Sequence, residues 1–306
     1  MSEAVLIIAN PSAGYRRPAW RTPVTEVLSS LGPVEFVTPG SAAETTAAAR
    51  DAEQRGVPLI VAAGGDGTVH RVVNGLSSTS SHLGVLPVGT ANDLSMFLGQ
   101  SRSPVEVARA MLSGVFQDID AIRINRVRVM TVGGFAVVAE AALEGDRLKR
   151  RWPWMGALAY TVAALHVIAA RGGDPVAGSL VANQATFGRH LRFPCDSFNN
   201  DGVCEVATFA GGRRWRLVRA LMAMSFGVPM PADAMTCTTV SRTTLMFDNE
   251  VAAFGDGEDL GRGREFQIWV EASAVRVRCA RAAASEGMLA VQAASVNVMA
   301  ISSATE

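Results

Sequence analysis

Two glycine-rich polar turns, each set between a short apolar run and an amphipathic helical pattern, restrict the folds open to this chain. The first is Gly64-Gly65-Asp66-Gly67-Thr68 and the second is Pro87-Val88-Gly89-Thr90-Ala91-Asn92-Asp93. Leu59 to Ala63 and Val85 to Leu86 precede them as buried-strand candidates. Val69, Val72, Val73 and Leu76 then fall at i, i+3, i+4 and i+7, the spacing of one helix face, and Leu94, Phe97 and Leu98 repeat it. Both turns therefore lie at strand C-terminal ends and open helices. In an open α/β sheet ligands bind there, and free helix N–H groups favour anions. Three glycines in five residues let the backbone approach a phosphate closely and adopt positive φ. Asp-Gly also occurs in ordinary tight turns, so the first loop alone admits a structural role; a second loop in the matching position favours a phosphate-bearing ligand. Neither is a Walker A loop or a dinucleotide G-x-G-x-x-G, and the protein-kinase motifs are absent.

The period of the hydrophobic pattern changes midway. Up to about residue 120, strand candidates Val5–Ala9, Val34–Val37, Leu59–Ala63 and Gly84–Val88 alternate with helical patterns. One helix opens with the capping-box signature Ser41-Ala42-Ala43-Glu44, another with Ser103-Pro104. Such alternation implies a doubly wound, parallel sheet. Beyond it, Val127 and Val129, Phe266, Ile268 and Val270, and Val275 and Val277 alternate with polar residues, the repeat of half-buried antiparallel strands. One helix, roughly Gly156–Ala170, interrupts them. The expected fold is thus α/β: an N-terminal doubly wound nucleotide-binding domain over 1–124, an antiparallel β-rich domain over 125–284 that completes the cleft, and an apolar tail, 285–306, packing back on the first domain.

Composition limits what such a chain does. Lys plus Arg and Asp plus Glu number 28 each in 306 residues, so no electrostatic case for nucleic acid exists. Basic residues do cluster: Arg147, Lys149, Arg150 and Arg151 precede Trp152 and Trp154, and Arg213, Arg214 and Arg216 flank Trp215. These clusters suit a solvated surface or an anionic membrane interface. Cys195, Cys204, Cys237 and Cys279 lack zinc-site spacing and are expected to be reduced, buried thiols of a cytosolic protein. Met155 to Ala170 is too short to span a bilayer and is expected to be a buried helix.

The motifs in their order resemble the diacylglycerol-kinase catalytic-domain family, which includes bacterial lipid kinases and sphingosine and ceramide kinases. The match begins at Asn10-Pro11-Ser12-Ala13-Gly14 and continues through Thr38, Gly64–Thr68, Asn74-Gly75-Leu76, Leu86–Asp93 and Ile119-Asp120. It then takes in Gly156–Tyr160, Phe198–Val206 and Asp256-Gly257-Glu258. The resemblance implies an ATP-dependent kinase of a lipid hydroxyl, such as a diacylglycerol or a sphingoid-type base, with the nucleotide in the cleft between two domains. By position, Asn10, Thr38, Gly65, Asp66, Gly67, Thr68, Val69, His70, Arg71 and Thr90 contact ATP, and Asn92 and Asp93 order its phosphates and their magnesium. A structural Mg2+ falls to the carboxylate of Asp201 with the carbonyls of Phe198 and Val203, oxygen ligands that suit a hard cation. The other reading of Asp201-Gly202 is an ordinary hairpin turn.

For the chemistry the resemblance points to Glu258 and Asp256, with Glu258 the favoured base and Asp256 its partner. Phosphoryl transfer to an alcohol asks for positioning, charge neutralisation and a group that accepts the hydroxyl proton. As residues i and i+2 of an extended chain, the two project to one side. Three positions depart from the family. Arg71 stands where the family has glutamate, although His70 resembles the sphingosine-kinase branch. Arg189 stands in a segment where the family has three consecutive glycines, and Thr131 replaces a common asparagine. Two alternatives accompany these: a kinase of a soluble alcohol or nucleotide, as in NAD kinases and phosphofructokinases, and a non-catalytic nucleotide- or lipid-binding relative. The expected setting is cytoplasmic and peripheral, with transient membrane contact; a homodimer stays open.

Overall fold

The computed structural model describes residues 2–11, 18–155, 158–171, 176–188, 191–230 and 233–279. The first half alternates strand and helix: β1 (Val5–Ala9), α1 (Arg21–Leu28), β2 (Val34–Val37), α2 (Ala42–Gln54), β3 (Leu59–Gly64), α3 (Asp66–Gly75), β4 (His82–Pro87), α4 (Asp93–Phe97) and α5 (Pro104–Met111). β2, β1, β3 and β4 pair in parallel in that order. Each strand is apolar at successive positions because both faces are covered. Leu6, Ile8, Ile60 and Ala62 pack under Ala49, Val69, Val72 and Val73 of α2 and α3. Val5, Ile7, Leu59 and Val61 face Val24, Leu28, Val107 and Met111 of α1 and α5. The Ser41 cap forms as its sequence dictates: Ser41 Oγ accepts from Glu44 N at 3.2 Å, while Glu44 Oε2 reaches one residue further back to accept from Gly40 N at 2.9 Å.

The second half holds β5 (Val115–Ile124), β6 (Val127–Val129), β7 (Val132–Ala136), α6 (Val137–Arg151), α7 (Leu158–Arg171), β8 (Val176–Ala182), β9 (Thr186–Phe187), β10 (Leu191–Arg192), β11 (Cys204–Ala210), α8 (Arg214–Phe226), β12 (Met235–Val240), β13 (Arg242–Gly255) and β14 (Glu258–Cys279). Antiparallel pairing links β12, β11, β8, β7, β13 and β14. The long β14 then pairs with β5 and, at Val277 with Leu83, runs parallel to β4. One mixed sheet therefore unites the α/β half with the antiparallel half, and its shared strand begins at Glu258. Phe135, Phe266 and Phe247 stack on one face of this half, the first two with ring centroids 4.8 Å apart.

Three helices, not the single one expected, cover the other face. Val132, Ala139, Ile168, Leu180, Phe209, Leu217, Ala220, Met224 and Phe254 form one core between β-sheet and α6, α7 and α8. The helix expected to be buried is buried on one face only: Ala159, Ala163, Val167 and Ile168 point inward, whereas Leu158, Val162 and Leu165 are exposed. A second correction concerns the cysteines. Cys204 and Cys279 are free and buried, but Cys195 and Cys237 form a disulfide. They lie 42 residues apart in sequence, with Cys195 in the loop after β10 and Cys237 on β12, and the fold brings their Cα atoms to 6.8 Å, a juxtaposition invisible in linear spacing. The segment 285–306, Gly156-Ala157 and Arg189 lie outside the described residues.

Candidate active site

The two glycine-rich loops close on each other at the carboxyl edge of β3 and β4. A Cβ on Gly89 would stand 2.2 Å from Gly65 Cα, so the backbones approach so closely that residue 89 must be glycine. Asp66, in the first turn of α3, clamps the second loop: its two oxygens accept the backbone N–H groups of Asn92 at 2.9 Å and Asp93 at 2.6 Å. Asn92 adopts φ 56° and ψ 47°, a left-handed conformation that asparagine tolerates, and its Oδ1 accepts from Gly89 N at 2.9 Å. Burial first, and then the charges of Asp93 and Asp256, push the Asp66 carboxyl up to about 7. Asn10 follows β1 and donates to Thr68 Oγ1 at 3.4 Å; Thr38 follows β2 at the same sheet edge. The Val69 side chain points into the core, so only its backbone faces the loops.

Consecutive residues of α3 reach across to the β13–β14 connection. His70 Nδ1 lies 2.9 Å from Asp256 Oδ2, both side chains buried, and Arg71 Nη2 donates to Glu258 Oε1 at 2.6 Å. The expectation of an extended Asp-Gly-Glu is corrected: Asp256 and Gly257 have φ of 51° and 81°, a tight turn that an antiparallel connection this short requires. Asp256 is saturated, since Met130 N, Thr131 N and Thr131 Oγ1 also donate to it at 2.7–3.1 Å. Thr131, one of the three departures, thus anchors this carboxylate. Glu258 is half-buried and engages Arg71 through one oxygen, and Gly67 faces that oxygen closely enough that a Cβ would meet it at 2.4 Å.

These groups line one end of a cleft of about 500 Å3. Gly65, Asp66, Gly67, Thr90 and Asp93 form the polar end, and Asp256, Gly257 and Glu258 stand between it and an apolar chamber. That chamber is walled by side chains such as Val138, Ala142, Ile168, Phe187, Leu217 and Met224 from α6, α7, α8 and the sheet. Linear reasoning did not find α6 or α8, although Leu217, Ala220, Leu221 and Met224 carry a helical spacing that signals one.

The expected metal residues lie elsewhere, at the start of β11. Asp201 Oδ1 accepts from Val203 N at 3.2 Å, and Gly202 has φ 77°, the geometry of the turn alternative. Among the described residues no three His, Cys, Asp or Glu side chains converge to hold a metal. Burial raises the carboxyls of both Asp201 and Glu205, and Glu205 Oε2 is buried with no hydrogen-bond partner among the described residues. Two neighbouring desolvated carboxylates, one with an unpartnered oxygen, suit a hard divalent cation.

Residues 4–124 match the diacylglycerol kinase catalytic domain, the family the motifs resemble. The chain is 32% identical over 169 residues to a diacylglycerol kinase of Bacillus subtilis (strain 168), covering 53% of this chain and 54% of that protein. A diacylglycerol kinase of Mycobacterium tuberculosis (strain H37Rv) is 24% identical over 222 residues, 67% of this chain and 71% of the relative. The chain thus spans about half the length of the first of these. A crystal structure of a diacylglycerol kinase from Bacillus anthracis str. Sterne superposes with a TM-score of 0.67 at 17% identity, covering 91% of this chain and 97% of that one. A second structure from that organism reaches 0.76 at 18% identity, covering 91% and 96%. At those identities the likeness is one of fold, α/β followed by a β-rich half.

Proposed function

We propose that this protein transfers the γ-phosphoryl group of ATP to a hydroxyl on a lipid. The observation that carries the proposal is the single cleft in which phosphate-type loops, an acidic turn and an apolar chamber follow one another. Similarity to diacylglycerol kinases supports it. The half up to Ile124 holds the nucleotide, with the backbone of Gly65 to Arg71 and Thr90 to Asp93 at its phosphates. The β-rich half carries the acceptor. A bound Mg2+ would neutralise charge on the phosphates, and Asn92 and Asp93 would hold it beside them. Glu258, with one oxygen outside its pair with Arg71, accepts the proton of the acceptor hydroxyl. Asp256, with its lone pairs already taken by four donor groups, positions the turn. Arg71 compensates Glu258 while the cleft is empty and offers a guanidinium to phosphate when it is filled.

No helix among the described residues is long and apolar enough to cross a membrane. The outer faces of the chamber helices instead supply a docking surface for the lipid bilayer. Trp152, Trp154, Leu158, Val162 and Leu165 continue into Trp215, Met222 and Phe226 as exposed apolar groups, with Arg147 to Arg151 and Arg213 to Arg219 interspersed. Aromatic and basic side chains together suit the headgroup zone. Incubating the protein with γ-labelled ATP and either lipid extract or a panel of soluble alcohols tests the proposal: label in the lipid fraction is expected, and label only in a soluble alcohol would refute it.

A further inference from the structure

The mouth of the chamber carries one polar constellation that proton abstraction and nucleotide binding leave unused. Asp146, on α6, and Tyr160, on α7, both line the cleft, and Tyr160 Oη donates to Asp146 Oδ1 at 2.5 Å. Gly145 makes this possible: a Cβ there would stand 2.4 Å from Tyr160 Cδ1, so only glycine lets α7 seat its tyrosine beside the neighbouring aspartate. Burial first, and then the bond to Asp146, raise the Tyr160 hydroxyl, which therefore stays protonated and committed to that oxygen. The other oxygen, Oδ2, faces the acidic turn: it lies 3.8 Å from where a Cβ on Gly257 would be. Among the described residues Asp146 has no ion pair, although Lys149 stands over the Tyr160 ring at 5.6 Å.

A carboxylate oxygen accepts hydrogen bonds and donates none. Placed beside the turn that ends in Glu258, it meets whatever group flanks the hydroxyl being phosphorylated. A second hydroxyl or a protonated amine satisfies it. The ester oxygens that flank the free hydroxyl of a diacylglycerol are acceptors; once the lipid fills the cleft and displaces water from half-buried Asp146, they leave its carboxylate unpaired, which is what lets a site reject an analogue strongly.

We propose that Asp146, held by Tyr160, is an acceptor-binding residue that selects lipids bearing a second hydrogen-bond donor, a hydroxyl or an ammonium, next to the phosphorylated hydroxyl. This rests on the lipid-kinase proposal and narrows its substrate class.

The test compares three probes in mixed micelles: dioleoylglycerol, 1-monooleoylglycerol and sphinganine. The wild-type protein is expected to show a kcat/KM for the best of the two donor-bearing probes at least about tenfold above that for dioleoylglycerol. Asp146→Asn, with thermal unfolding checked in parallel, is expected to erase that preference by raising KM for the donor-bearing probes while KM for ATP stays unchanged. Tyr160→Phe, which frees Oδ1 without removing the carboxylate, is expected to retain most of it. The wild-type ranking needs no variant and keeps the test decisive if Asp146→Asn folds poorly. A wild-type preference for dioleoylglycerol would overturn the assignment. So would an Asp146→Asn loss of equal size on all three probes, or one that appears in the KM for ATP. Phosphorylation of none of the lipids, with ATP still bound, would instead mark failure of the underlying kinase proposal, and this assignment would fall with it.

Discussion

The two acids of the turn should differ sharply in what they do for stability. Asp256 is buried and receives Met130 N, Thr131 N, Thr131 Oγ1 and His70 Nδ1 within 3.1 Å. Asparagine in its place keeps one acceptor oxygen and puts an amino group against donors; His70 can change tautomer, but a backbone N–H cannot. Asp256→Asn therefore loses at least one charge-assisted bond to a buried group, about 1.5–3 kcal/mol. Asp256→Ala strands every partner and should cost about 3–5 kcal/mol, the range for breaking a buried charged pair. Glu258 is 28% exposed at its side chain and has one partner, Arg71. Solvent screening holds that pair below about 1 kcal/mol, so Glu258→Gln should unfold close to wild type. Urea unfolding monitored by circular dichroism reads the difference as a shift in midpoint at constant slope. An Asp256→Asn unfolding free energy within about 0.5 kcal/mol of wild type would refute the assignment of Asp256 as the organiser of the turn, as would an equally large loss in Glu258→Gln.

Gly89→Ala puts a Cβ against the Gly65 backbone, which cannot yield as a flexible side chain would. The loops should part, and calorimetric affinity for ATP should fall about tenfold or more with the far-UV spectrum retained; unchanged affinity would contradict the loop geometry. Burial, and then the charges of Asp93 and Asp256, push the folded Asp66 carboxyl from the usual carboxylate range up to about 7, so it binds its proton more tightly when folded. Its contribution is full below about pH 4 and is lost as pH rises through about 7, and Asp66→Asn should flatten the fall in melting temperature over that window. Trp154→Ser with Phe226→Ser removes two side chains that are 77% and 76% exposed. Flotation with anionic vesicles should drop, and wild-type binding should weaken with salt; equal recovery on neutral vesicles at every salt concentration would count against that face.

What the sequence made legible was local. Val5–Ala9 and Val34–Val37 form as strands with the boundaries expected, and the Ser41 cap closes as its spacing dictates, because both depend on near neighbours. The glycine-rich loops announce themselves by composition, but their mutual contact at Gly65 and Gly89 is set by the parallel pairing of β3 and β4. Longer-range arrangements were hidden. His70 and Asp256 are 186 residues apart and Cys195 and Cys237 are 42 apart, and each pair meets only through the tertiary packing of a helix or loop against a distant β element. The arginine that departs from the family pattern at position 71 acquires a role only when Glu258 is placed beside it. The chamber is obscured in the sequence because the arginines and Trp215 of α8 interrupt the apolar spacing of Leu217, Ala220, Leu221 and Met224.

The most direct test of the central claim is single-turnover transfer of labelled phosphate from ATP to a lipid acceptor by wild type and Glu258→Gln, with ATP affinity measured on the same preparations. Glutamine keeps the shape and a hydrogen bond to Arg71 but cannot take up the proton. The rate of transfer should fall by about 10²-fold or more while ATP affinity stays within about twofold of wild type. Transfer at the wild-type rate by Glu258→Gln would show that the proton leaves by another group, and the acidic turn would not be the catalytic end of the cleft.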